Sequence, residues 1–113
     1  MAKVVVIEPH DEVRELIVRI VARLGHEPVR YRVEADLAGA DILLVEPAAT
    51  DGLRQAQSAR SLGVAVIFVS IFPPSDETRA VEPIAFLHKP FTLVDLEHAI
   101  VGALAPGRRL AAV

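Results

Sequence analysis

Five short, largely apolar runs punctuate the chain at Val4 to Ile7, Pro28 to Val33, Ile42 to Val45, Val64 to Val69 and Ile84 to Leu87. Runs of this length that are continuously apolar, rather than alternating, mark strands buried on both faces. Between them lie helical patterns. Val13, Leu16, Ile17, Ile20, Val21 and Leu24 recur at steps of three and four, with Gly25 placed to stop the helix. Asp51-Gly52-Leu53 opens a second helix that reaches Leu62 and closes at Gly63. A third can follow the double proline at Pro73-Pro74 and must end before Pro83. Thr92 with Asp95 has the spacing of a helix cap, and Leu93, Leu96, Ile100 and Leu104 form the expected buried face of a last helix. Strands of this kind alternating with helices require a parallel sheet covered on both sides, so the fold class is α/β, three-layered and doubly wound. The connection from Glu34 to Ala40 is too short for more than a turn or two of helix.

The whole chain has 113 residues, the size of one domain, read as 1–105 with a tail at 106–113 that carries Arg108 and Arg109. A hydrophobic fraction of 52% against 24% charged argues against disorder. The formal net charge of -3 gives no electrostatic reason to bind nucleic acid or an anionic membrane, so the expected partner is a protein, with a second copy of the chain as one option. With no cysteine there is no disulfide framework, which suits a reducing cytoplasm. The apolar runs are too short to span a bilayer, and Met-Ala-Lys leads straight into a strand, not a signal peptide. No DNA-binding segment follows residue 104, so an effect on transcription is expected to pass through another protein.

In a doubly wound sheet, ligands and chemistry collect at the carboxyl ends of the strands. Those ends read Glu8, Glu46, Ser70 and Lys89. Other chemistry is weaker. There is no glycine-rich loop after the first strand, so dinucleotide and phosphate-loop readings fail. Ser70 lacks a nucleophile-elbow context. His10, Asp11, Glu12 and Glu46 can be imagined as a transition-metal set. The plainer reading puts Asp11 and Glu12 in a helix first turn, where they favour its dipole, with Glu8-Pro9 leading in and the proline at the first helical position. His88 has no recognisable partner.

The segments VVVIEPHDEVREL, DILLVEPAATDGL, VAVIFVS and FLHKPF together resemble the phosphorylation site of a response regulator receiver domain, over about the whole chain. The resemblance implies a flavodoxin-like, CheY-like fold with strand order 2-1-3-4-5, here with a shortened second helix. It also implies roles. Glu46 stands where the family has its phosphoacceptor aspartate, Lys89 matches the charge-balancing lysine, Ser70 matches the hydroxyl that bonds the phosphoryl group, and Phe86 falls at the switching aromatic. Glu8-Pro9 replaces the acidic pair that holds a divalent cation. The residues therefore point to a pseudo-receiver in two-component signalling, not an enzyme, with no cofactor and at most a weak magnesium site at Glu8 and the Ala48 carbonyl. Glu46 is expected to pair with Lys89. The family's partner surface would map to Thr78 to Ala80, Phe86 and the outer side of Leu93 to Gly102, including Glu97 and His98. Two alternatives stand beside this reading: a conventional phosphoacceptor using Glu46 or Asp51, and a flavodoxin-like binder of an anion or flavin.

Overall fold

The structure is a computed structural model that describes residues 1–105; the expected tail at 106–113, with Arg108 and Arg109, lies outside the described residues. In chain order the elements are β1 (Lys3–Ile7), α1 (Asp11–Arg23), β2 (Glu27–Arg30), a 3-10 turn (Glu34–Leu37), β3 (Ile42–Val45), α2 (Gly52–Ser61), β4 (Ala65–Ser70), α3 (Asp76–Ala80), β5 (Ala85–His88) and α4 (Leu93–Ala103). The five strands are all parallel, in the order β2-β1-β3-β4-β5. This is the doubly wound sheet and strand order expected from the sequence.

The continuous apolar runs are explained by two cores. Successive side chains of a strand point to opposite faces. Val4, Val6, Ile42, Leu44, Ile67 and Val69 pack on one face against Ile17, Ile20 and Val21 of α1 and Leu96 and Ile100 of α4. Val5, Leu43, Val45, Val66 and Phe68 pack on the other against Leu37, Ala56, Ala59 and Val81. The single 3-10 turn contributes only Leu37 to that second core, which leaves the β2 end of the sheet thinly covered.

Several boundaries differ from the sequence reading. β2 ends at Arg30 rather than Val33: the Tyr31 N–H still donates to the Val6 carbonyl at 3.0 Å, but the N–H groups of Arg32 and Val33 turn to Asp36 Oδ2 at 2.8 and 3.0 Å. On α4, Ala99 and Ala103 join Leu96 and Ile100 in the core, while Leu93 and Leu104 are exposed. Leu96, Ala99, Ile100 and Ala103 step by three and four residues along one helix stripe, and the two outer leucines fall at its margins. Leu16 is likewise exposed, at the margin of the α1 stripe. The cap at Thr92 forms as expected, with the Asp95 N–H donating to Thr92 Oγ1 at 3.0 Å and the Thr92 N–H donating to Asp95 Oδ2 at 3.1 Å.

α1 is tied to β2 by charge. Arg30 grips the Glu15 carboxylate with Nε at 2.8 Å and a terminal nitrogen at 2.5 Å. That hydrogen bond from Arg30 is the main reason that the Glu15 carboxyl is held down to about 2 from an ordinary 4.5. A depressed folded value contributes stability above the unfolded value, and the contribution is lost as pH falls through the folded one. Glu15→Gln should therefore lower the urea midpoint at neutral pH, and the gap from the parent protein should narrow between pH 4.5 and 2. Midpoints measured across that range check it; a constant gap would show that packing, not charge, makes the tie.

Candidate functional site

The parallel register gathers the strand ends on one rim. Ile7 pairs with Val45, so Glu8 and Glu46 emerge side by side, with the Glu46 N–H donating to the Ile7 carbonyl at 2.9 Å. Two strands further along, the Lys89 N–H donates to the Ser70 carbonyl at 2.9 Å, fixing where the lysine leaves β5. The Lys89–Pro90 peptide is cis. From there the lysine side chain reaches back across the rim. Its Nζ lies 3.2 Å from Glu46 Oε1 and 2.5 Å from Glu8 Oε1.

All three groups are withdrawn from water: their side chains are 15% (Lys89), 2% (Glu8) and 7% (Glu46) exposed. The contact to Glu46 has hydrogen-bond geometry, whereas the one to Glu8 Oε1 is an ion pair without hydrogen-bond alignment. The remaining carboxylate oxygens are engaged by backbone. Glu8 Oε2 accepts from the His10 N–H at 2.9 Å, and Glu46 Oε2 accepts from the Ala48 N–H at 3.2 Å. One ammonium thus serves two buried carboxylates, and every carboxylate oxygen faces a nitrogen.

That donor set does not fit a divalent cation. Magnesium needs several oxygen ligands in near-octahedral array. Here Pro9 offers none, and both acids already have their oxygens taken by N–H groups and the ammonium. The Ala48 segment turns its N–H, not its carbonyl, to the Glu46 carboxylate. Among the described residues no group of three His, Cys, Asp or Glu side chains is arranged to hold a metal ion. His10 instead caps α1, its Nδ1 accepting from the Val13 N–H at 3.4 Å. The helix therefore begins at Asp11, and Pro9 lies outside it instead of at its first position. Asp11 pairs with Arg14 at 2.7 Å on the surface.

Other expected site residues fall around this cluster. Ser70 is fully buried, with its Oγ accepting from the Phe72 N–H at 3.1 Å. Phe86 is half-buried, its ring 5.9 Å from that of Phe68 at an interplanar angle of 51°. Asp51 turns to solvent and pairs with Arg54 at 3.3 Å. His88 is exposed. Thr78 does not belong to a partner surface: it is buried, locked in a reciprocal cap with Ser75. Glu97 and His98 are exposed on α4.

Two features of the site were not anticipated from the sequence. The first is the contact of Lys89 with Glu8 as well as Glu46. The second is Gly52, which begins α2 directly against the β3 loop. A Cβ there would lie 2.4 Å from the Glu46 carbonyl oxygen, so only glycine lets the loop close over the strand end. Asp51 enters that turn with a left-handed φ of 59°, a conformation that aspartate tolerates better than most residues.

The fold and the rim can be set beside known proteins. No family model and no curated protein matches the chain. Solved structures do. A two-component response regulator from Clostridium difficile superposes with a TM-score of 0.79 at 12% identity, covering 96% of this chain and 99% of that one. The signal receiver domain of a modulated diguanylate cyclase from Desulfovibrio desulfuricans G20 gives 0.79 at 20% identity, covering 100% and 99%. The Vibrio cholerae chemotaxis protein CheY4 gives 0.78 at 18% identity, covering 92% and 99%. The chain has the CheY-like fold of response regulator receiver domains from end to end of its described part. Among the described residues no helix is long and apolar enough to cross a membrane.

Proposed function

We propose that this chain is an atypical receiver domain in two-component signal transduction that acts by contact with a protein partner and is not switched by phosphorylation of the usual kind. The observation that carries this reading is the Lys89 ammonium between Glu8 and Glu46. A phosphoacceptor must present a free carboxylate oxygen to an approaching phosphorus, with a cation opposite to take up the phosphoryl charge. At the equivalent position Glu46 is longer than aspartate by about 1.5 Å, and its oxygens are held by Lys89 and the Ala48 N–H. In-line attack tolerates little misplacement.

The cluster supplies part of what a phosphoryl group would. It places a fixed negative charge against the lysine, although a phosphoryl group brings roughly two charges and three acceptor oxygens. The surface that would meet a partner is the outer side of α4, where Leu93, Val94 and Val101 are exposed beside Glu97 and His98. Such apolar residues grouped on one helix face suit a protein contact better than solvent. The acidic net charge and the lack of cysteine support a cytoplasmic setting without nucleic-acid contact.

Incubation with acetyl phosphate and magnesium, followed by intact-mass measurement, tests the reading. The expected spectrum is that of the unmodified chain. A stoichiometric phosphate adduct mapping to Glu46 or Asp51 would overturn it and restore the conventional phosphoacceptor.

A further inference from the structure

Beside the lysine cluster, on the outer flank of the same rim, lies a cavity of about 450 Å³ between the end of β1, the end of β2 and the loop after β3. Arg14, Arg30 and Arg32 line it together with Tyr31 and Thr50. Its one carboxylate, Glu8, has both oxygens engaged, by Lys89 and by the His10 N–H. Three guanidinium groups and two hydroxyl side chains thus share the lining, with Asp11 and Glu15 paired to Arg14 and Arg30 beside it.

The arginines are positioned rather than loose. Arg14 donates to the Glu8 carbonyl at 3.0 Å and to Asp11 at 2.7 Å, with its Nε 3.5 Å from Glu15. Glu15 also holds Arg30 by two of its nitrogens. Each guanidinium keeps further N–H groups beyond these bonds, since five are available per side chain. Arg32 is exposed and makes no ion pair within 4 Å among the described residues. Burial raises the Tyr31 hydroxyl above its ordinary value, with the Glu34, Asp36 and Asp51 carboxylates adding to the shift and Arg54 opposing it.

We propose that this groove is a binding site for a small phosphate ester, held by the Arg14, Arg30 and Arg32 guanidinium groups with Thr50 and Tyr31 as hydroxyl donors. Planar guanidinium groups match phosphate oxygens in pairs, and arginine is the side chain favoured where that match matters. The volume is in the range of small-molecule sites, and the groove sits beside β1, where the winding of the sheet reverses and ligands of this architecture lodge. The short link from β2 to β3 opens this flank. The Tyr31 ring gives an organic group beside the phosphate an apolar surface to rest on. The site needs neither a metal nor phosphorylation of Glu46, so it stands or falls independently of the signalling role.

Isothermal titration of the intact chain with AMP, inorganic pyrophosphate and adenosine, without metal and at constant ionic strength, tests it. AMP and pyrophosphate should each bind saturably at one site per chain, and adenosine should not. Amide resonances of Tyr31, Arg32 and Thr50 should shift on addition of AMP. Arg32→Ala, at an exposed position that folding does not need, should weaken AMP about tenfold, the loss of one charge-assisted hydrogen bond. Arg79→Ala, on α3, should change nothing. The proposal is overturned by absence of saturable binding for both phosphates, by adenosine binding as tightly as AMP, or by unchanged affinity in Arg32→Ala.

Discussion

Lys89→Met should destabilise the fold by about 3–5 kcal/mol, the usual cost of removing one partner from a buried ion pair. Among the described residues the lysine is the one cation paired with the carboxylates of Glu8 and Glu46, and both carboxylates are buried. Without it two like charges face each other in a space that water reaches poorly. Methionine keeps the length and packing of the lysine stem, so the change isolates the charge. Adding Glu8→Gln and Glu46→Gln to the same chain should recover most of the loss, because an amide needs no counter-ion and can still accept from the His10 and Ala48 N–H groups. Urea unfolding of the parent, the single variant and the triple variant, with equal slopes, measures both steps. A loss below about 1 kcal/mol, the range of exposed ion pairs, would mean that the acids are solvated and that the lysine does not organise the site.

The result bears on why glutamate occupies both acidic positions. Lys89 leaves the rim from β5, while its partners leave from β1 and β3, with β4 between. Closing that gap falls to long side chains from both directions. The pairing of Glu46 with Lys89 was legible because both stand at strand ends in a fold whose strand order the resemblance to receiver domains implied. The Glu8 contact was not, since it depends on how far two side chains extend within one cavity, and sequence spacing carries no such information. Gly52 had a plain role as a helix start in the sequence; its contact with the Glu46 carbonyl appears only when the loop closes.

Much the same division runs through the fold. Buried strands announce themselves by apolar runs that water cannot tolerate on either face, and four of the five runs match a strand to within a residue at each end. β2 is shorter than its apolar and β-favouring pattern suggests because the N–H groups of Arg32 and Val33 turn to the Asp36 carboxylate, a contact that strand patterning does not show. On α4 the leucines suggest the buried face, yet Ala99 and Ala103 lie in the core with Leu96 and Ile100. The arginine groove was invisible for a different reason: its residues come from a helix, a strand end and a loop, and only the winding of β1 between β2 and β3 brings them together.

Phe68→Ala should cost about 3–5 kcal/mol, the range for deleting a large aromatic side chain from a packed core. Phe68 is the largest fully buried side chain among the described residues, on β4 opposite Val45 of β3 and Phe86 of β5. Its core also holds Ala56 and Ala59 of α2 and Val81. Phe86→Ala, by contrast, removes a half-buried ring at the edge strand and should cost about 1–2 kcal/mol, a part of the value for full burial. The two variants together decide whether Phe86 belongs to the interior or to the surface. If the proposed receiver role holds, Phe68 is the fixed wall and Phe86 the side chain free to change its packing when a partner meets β5 and α4. Unfolding curves that lose equally for both rings would make Phe86 core, and a partner would then have only the exposed face of α4 to read.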